Sequence, residues 1–238
     1  MSQGQAGDSE SRVLFPKSGG NHRCGLFLAS LVGYYLLLPY IGWFGEILPL
    51  FDSESFQVFL FMGILLTGIR TVSESPRHFR IGLALGIPTF ILEWVSYFVP
   101  GHALAVATSI TTLVFVIYVG IRIFGYVLAP GEVNPDKLFA ASSFYFLIGL
   151  AFAIIYGVLE FLTPGSFAGI TLFGDENRPT AELLYYSFVT LTTLGYGEIT
   201  PVTPQVRSLA AIEAMMGVFY LAIMVARLVA LYSNPRKR

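Results

Sequence analysis

The chain has 238 residues, 55% hydrophobic and only 12% charged, with a formal net charge of −1 and a mean hydropathy of +0.69. Soluble domains carry about 25% charged residues, so this balance excludes an ordinary soluble globular protein, and the near-zero charge argues against a nucleic-acid partner. A single cysteine, Cys24, excludes an internal disulfide framework.

Residues 1–23 are polar and carry Arg12, Lys17 and Arg23, without the apolar core or small-residue cleavage site of a signal peptide. They read as a cytoplasmic tail. Four apolar spans follow within residues 24–129: Gly25–Phe44, Ser55–Val72, Ile81–Pro100 and Ala103–Leu128. Each approaches the roughly 20 residues needed to cross a bilayer as helix, although the second is short and weakly bounded. Pro88 and Glu93 make the third a candidate for a kinked helix that does not face lipid alone. The short loops between these spans fit an antiparallel four-helix bundle. Pro130, Gly131 and Pro135 then mark a linker over 130–137 and disfavour a continuous helix across it. Two further spans, Leu138–Leu162 and Val206–Tyr232, bound a module over 138–232, and residues 233–238 form a short polar end. Only six residues follow Tyr232, so no ligand-sensing cytoplasmic domain is expected. The reading is an all-α membrane protein with six transmembrane helices and a re-entrant segment described below.

Charge sets the expected orientation. With the N-terminus inside, Arg12, Lys17, Arg23, Arg70, Arg77, Arg80, Arg122, Lys137, Arg227, Arg236, Lys237 and Arg238 fall at the cytoplasmic face, and only Arg178 and Arg207 fall outside. That bias follows the positive-inside rule. Glu46, Asp52, Glu54, Asp175, Glu176, Glu182 and Glu198 gather in the outer loops. Both termini are therefore expected inside, and the short polar loops suggest a bacterial-type inner membrane.

Residues 163–205 are too many for a plain connector and contain a second apolar stretch, Ala181 to Leu194. Thr180 is a suitable N-cap and Glu182 suits the positive end of a helix dipole. About a dozen helical residues cannot cross a ~30 Å hydrocarbon layer, so this helix is expected to enter and stop. The chain then returns outward through Thr193–Gly197, within the run Thr192-Thr193-Leu194-Gly195-Tyr196-Gly197 followed by Glu198, as non-helical backbone, tolerated at that depth only inside protein or beside water. The two glycines allow backbone angles that a Cβ would block.

From Leu138 to Tyr232, and above all from Leu183 to Pro201, the chain resembles the pore module of the tetrameric potassium-channel family. The resemblance implies a re-entrant pore helix followed by a selectivity filter, with four chains per pore and hence a homotetramer. It implies K⁺ coordination by the backbone carbonyls of Thr193, Leu194, Gly195 and Tyr196 and by the Thr193 hydroxyl, with Gly197 closing the filter. Tyr185 and Tyr186 match the paired aromatics that brace the filter; Ser187, Thr190 and Thr192 match small hydroxyl positions around it. Glu160 resembles a glutamate that ties outer helix to pore, and Gly217 falls where the family often has an inner-helix hinge. Leu194 replaces the commoner valine, Glu198 the commoner aspartate, and Val189 stands where some members have an acidic partner. A buried carboxyl pair there is therefore not expected. The first four spans match the family only in number and orientation.

Other residues carry weaker signals. Glu93 and Glu213 lie within apolar spans, where an ionisable group is either hydrogen-bonded for structure or functional. Glu213 sits one helical turn before Gly217 and is expected to face the pore helix from behind. The three histidines are too scattered for a metal site, and most aromatics at span ends suit the membrane interface. No nucleophile–base or metal constellation suggests an enzyme, and no cofactor is implied beyond K⁺ as the transported ion. The expected function is passive, selective K⁺ conduction across a lipid bilayer, gated by an unidentified stimulus or partner. The alternatives are a weakly selective cation pore or a non-conducting receptor or subunit that keeps the pore fold.

The fourth span offers only Arg122, near its inner end, whereas voltage-sensing helices carry about 3–4 gating charges. An interfacial, snorkelling role for Arg122 follows. Current recorded across a voltage ramp should show at most shallow intrinsic voltage dependence; a steep conductance curve moving several charges per subunit would contradict this.

Overall fold

The computed structural model of the chain describes residues 23–40, 53–73, 75–99, 101–130, 134–170 and 180–232. Helix α1 (Arg23–Leu37) ends in a 3₁₀ turn over Leu38–Tyr40. It is followed by α2 (Ser53–Val72), α3 (Pro76–Phe98), α4 (His102–Leu128) and α5 (Pro135–Leu162). Strand β1 (Phe167–Ala168), helix α6 (Thr180–Leu191), strand β2 (Thr200–Pro201) and helix α7 (Pro204–Tyr232) complete the order. The mostly helical expectation holds. Sequence patterning did not anticipate the antiparallel ladder, which pairs Phe167 with Pro201 and Ala168 with Thr200.

Among the described residues, α1 with its 3₁₀ turn, α3, α4, α5 and α7 are long and apolar enough to cross a membrane. The second expected span is a helix too, but its apolar section, Phe56–Val72, is shorter. Several starts move relative to the sequence reading because capping decides them. Ser75 accepts from the His78 amide, so α3 begins at Pro76. Asn134 Oδ1 accepts from the Lys137 amide at 2.8 Å, so α5 begins at Pro135 and not at Leu138. In both, proline occupies the first helical position, where its missing N–H has no partner to lose. Helix α3 continues through Pro88. The part of the first expected span beyond Tyr40, the loop acids Glu46, Asp52, Asp175 and Glu176, and Arg178 and Gly131 lie outside the described residues, as does the capping side chain of Thr180.

The bundle core is built from Phe27 and Leu31 of α1, Ile64 and Leu65 of α2, and Phe115 and Val119 of α4. Small residues let the helices approach: a Cβ on Gly86 would lie 2.8 Å from Ile69 Cδ1, and one on Gly68 would lie 3.3 Å from both Phe115 and Phe27. Hydroxyls join neighbouring helices, with Ser30 Oγ 2.8 Å from Thr67 Oγ1 and Thr112 donating to Glu93 Oε1 at 3.3 Å. Glu93 therefore takes a place in the α3–α4 contact. Arg122 lines a small cavity at the bundle end with Arg23, Thr71, Tyr126 and Asp136.

The bundle packs on its own chain's C-terminal module. Phe124 of α4 stacks on Phe144 of α5 with centroids 4.8 Å apart, and Tyr35 of α1 meets Phe188 of α6 edge-on at 5.0 Å. At the other end, Asp136 accepts from the Cys24 amide at 3.2 Å and the Tyr126 hydroxyl at 3.4 Å. One carboxylate thereby joins the starts of α1 and α5 to the end of α4. Asp136→Ala would strand both donors in a part-buried setting, which costs about 1–3 kcal/mol. Thermal unfolding of the purified chain in detergent should show a lowered midpoint, with Asp136→Asn retaining part of the loss.

Candidate functional site: the loop between α5 and α7

Helix α6 stops at Leu191, three residues before the apolar stretch ends. The stop is local. Thr192 turns its hydroxyl back to the Phe188 carbonyl at 2.7 Å, and its amide also bonds that carbonyl at 3.0 Å. The Thr193 amide then bonds Thr190 O at 2.9 Å, while the amides of Leu194 and Gly195 share Val189 O at 2.9 and 3.3 Å. Thr192 thus acts on the end of α6 and does not extend the following segment.

Beyond this point the backbone alternates in handedness. Thr193, Gly195 and Gly197 have φ of 58°, 57° and 85°, and Leu194 and Tyr196 between them stay negative. A β-branched residue at positive φ is a genuine outlier, of the kind that costs about 1–3 kcal/mol and persists only where its surroundings enforce it. Residues 192–198 make no ladder of their own, and all are exposed on the isolated chain, Leu194 at 55% and Tyr196 at 64%.

The far end of this segment is held by three contacts. The Tyr185 hydroxyl donates to Glu198 Oε1. Gly169, at φ 86°, lies so close that a Cβ would collide with the Glu198 carbonyl. The Val202 amide bonds Ser166 O at 2.8 Å beside the β1–β2 ladder. Glu160, at the end of α5, supports that ladder from below: its two oxygens accept the Gly165 amide at 2.8 Å and the Phe167 amide at 3.1 Å.

The paired tyrosines separate. Tyr185 serves Glu198, whereas Tyr186 is buried against Tyr156 and Phe167 at 5.3 and 5.0 Å, with the Thr190 hydroxyl beside its phenol. Val189, through its carbonyl, anchors the filter-like segment instead of presenting an acid to Glu198.

Behind α6 lies a buried polar group. Glu213 of α7 is fully buried; it accepts from Tyr156 at 2.6 Å and contacts Ser187, whose Oγ also reaches the Gly149 carbonyl at 2.7 Å. One turn on, a Cβ at Gly217 would collide with the Leu191 carbonyl, which also accepts from the Tyr145 hydroxyl at 3.2 Å. Helix α7 runs unbroken through Gly217, so in this structure the glycine serves close approach to the end of α6. Sequence reading missed Tyr145, Gly149, Tyr156 and Gly169. The usable signal was a glycine or a polar-tipped aromatic inside a long apolar helix; Gly149 fits it, since a Cβ there would lie 2.7 Å from the Phe188 ring.

A family profile described as "Ion channel" matches residues 145–234. Protein LctB of Geobacillus stearothermophilus is 34% identical over 108 residues, covering 43% of this chain and 78% of that protein. This chain belongs to the potassium-channel family. It is 36% identical over 56 residues to two-pore potassium channel 5 of Arabidopsis thaliana, covering 24% of this chain and 14% of that one. To the inward rectifier potassium channel Kirbac3.1 of Paramagnetospirillum magnetotacticum it is 28% identical over 89 residues, 37% of this chain and 26% of the relative. The chain thus spans about a quarter or less of these two potassium channels. No solved structure matches it.

Because Gly217 sits on the Leu191 carbonyl, Gly217→Ala forces α7 away from α6, an overpacking that costs about 1–3 kcal/mol. Its thermal midpoint should fall clearly, while Gly63→Ala, with nothing within 4 Å of the added carbon, should leave stability nearly unchanged.

Proposed function

We propose that the chain is one subunit of a homotetrameric pore that conducts K⁺ passively and selectively. The observation that carries this reading is the alternating backbone of Thr193–Gly197, held at both ends, in a chain of the potassium-channel family. Alternation in sign along a short segment turns successive carbonyls toward one side. Four such segments around an axis supply oxygen rings that replace the hydration shell of K⁺. The ligands are the carbonyls of Thr193, Leu194, Gly195 and Tyr196 and the Thr193 hydroxyl, with Gly197 and Glu198 completing the outer mouth.

Exposure supports assembly. The segment is uncovered on a single chain, and α7 exposes Ile212, Met215, Val218, Phe219 and Ile223, an apolar surface suited to neighbouring subunits and a central cavity. Helix α6 enters the membrane and stops, with its carbonyl end toward the bilayer centre, where a partial negative charge favours a cation. Both termini lie in the cytoplasm, and α1–α4 with α2 as a sixth span stay beside their own subunit's pore. Bending of α7 near Gly217 opens and closes the inner cavity. Intrinsic voltage gating plays no part.

The test is a planar-bilayer recording with K⁺ on one side and Na⁺ on the other. The reversal potential should lie near the K⁺ equilibrium value, and Gly195→Ala, placing a Cβ at φ 57°, should abolish the selective current. A sizeable current reversing near zero would instead mean a weakly selective cation pore.

A further inference from the structure

Glu213, Ser187 and Tyr156 come from three different helices, and each is fully buried. Tyr156 Oη lies 2.6 Å from Glu213 Oε2. Ser187 Oγ faces two oxygens at once, Glu213 Oε1 and the Gly149 carbonyl at 2.7 Å. The hydrogens do not suffice if Glu213 is ionised. An ionised carboxylate and a carbonyl only accept, and the Ser187 hydroxyl owns one hydrogen, enough for one linear hydrogen bond. One of its two contacts would then set oxygen against oxygen with nothing between.

A single added proton resolves all three contacts. Glu213 Oε1–H donates to Ser187 Oγ, Ser187 Oγ–H donates to Gly149 O, and Tyr156 Oη–H donates to Glu213 Oε2. The surroundings agree with a neutral group. Among the described residues, the titratable side chains within electrostatic reach of Glu213 are Tyr145 and Tyr156 of α5 and Tyr186 of α6. Among the described residues no lysine, arginine or histidine bonds to it or offsets its charge. An unpaired charge buried among apolar helices is expensive, whereas a neutral acid with every hydrogen bond made is not.

We propose that Glu213 is a proton-binding site, occupied in the folded channel, whose proton is the hydrogen that fastens α7 to α6. The site is distinct from the ion-coordinating segment and lies one helical turn before Gly217. Removing the proton at alkaline pH leaves Ser187 short of a hydrogen and loosens the seat of α6, so proton occupancy and the support behind the filter are linked.

The experiment is infrared spectroscopy of the full chain in liposomes, read at the carbonyl stretch of protonated carboxyl groups. It needs folded protein and no ion current, so its outcome is independent of whether the pore conducts K⁺. The wild type should show such a band at neutral pH, lost at strongly alkaline pH. Glu213→Gln should abolish it while keeping the fold, because the amide nitrogen donates to Ser187 and the amide oxygen accepts from Tyr156. Tyr156→Phe should move the band to higher frequency, since the carbonyl loses its donor. Absence of the band from the wild type, or its survival in Glu213→Gln, overturns the proposal. Should the glutamine variant fail to fold, an unshifted band in Tyr156→Phe overturns it equally.

Discussion

Everything in the C-terminal module depends on holding a backbone that cannot hold itself. Residues 192–198 form neither helix nor ladder, and Thr193 adopts a handedness its side chain resists. In a membrane such backbone persists only when the protein around it supplies the contacts that water or a regular structure would otherwise provide. Here the supply comes from both directions. The Val189 and Thr190 carbonyls hold the end next to α6, and Tyr185, Gly169 and the short ladder hold the far end. Glu160 has an indirect part, because it shapes the turn from which that ladder starts.

The same constraint explains the small residues and aromatics behind the segment. Helix α6 must itself be fixed if its last carbonyls are to fix anything. Phe188 is set into the surface of α5 at Gly149, meets Phe146 at 5.2 Å and Tyr35 at 5.0 Å. Leu191 O is capped by Tyr145 and pressed by Gly217. Close packing of this kind leaves little room for sliding, so displacement of α6 requires coordinated movement of α5 and α7.

Much of the architecture could be read from sequence because it is written locally. Thr193 to Gly197 carries its own backbone requirement, whereas the Asn134 cap that starts α5 at Pro135 was overlooked in favour of the apolar run beginning at Leu138. What stayed hidden was non-local. Tyr156 and Ser187 lie 57 and 26 residues from Glu213, and no periodicity joins them. Gly217 was read from its position relative to the filter as a bending point, while its contact with Leu191 needed the packing of two helices to appear. The β1–β2 ladder is only two residues long on each side, too short for alternation to register. The second span was recognised as helix, but its modest apolar length, visible in both sequence and structure, left its crossing of the membrane to inference.

One carbonyl at the junction of α4 and α5 links the N-terminal bundle to the last helix. Ala129 O, just past the end of α4, accepts from Lys137 Nζ at 3.0 Å and from Arg227 Nη2 at 3.1 Å. Two cations on the negative end of a helix are electrostatically favourable, and Arg227 tethers the C-terminal part of α7 to the junction between bundle and C-terminal module. Displacing the C-terminal part of α7 from α4 must therefore either carry this junction along or release Arg227. The N-terminal bundle and the C-terminal part of α7 are in this sense mechanically joined, and a change in how α4 sits is felt at Arg227 through one shared oxygen.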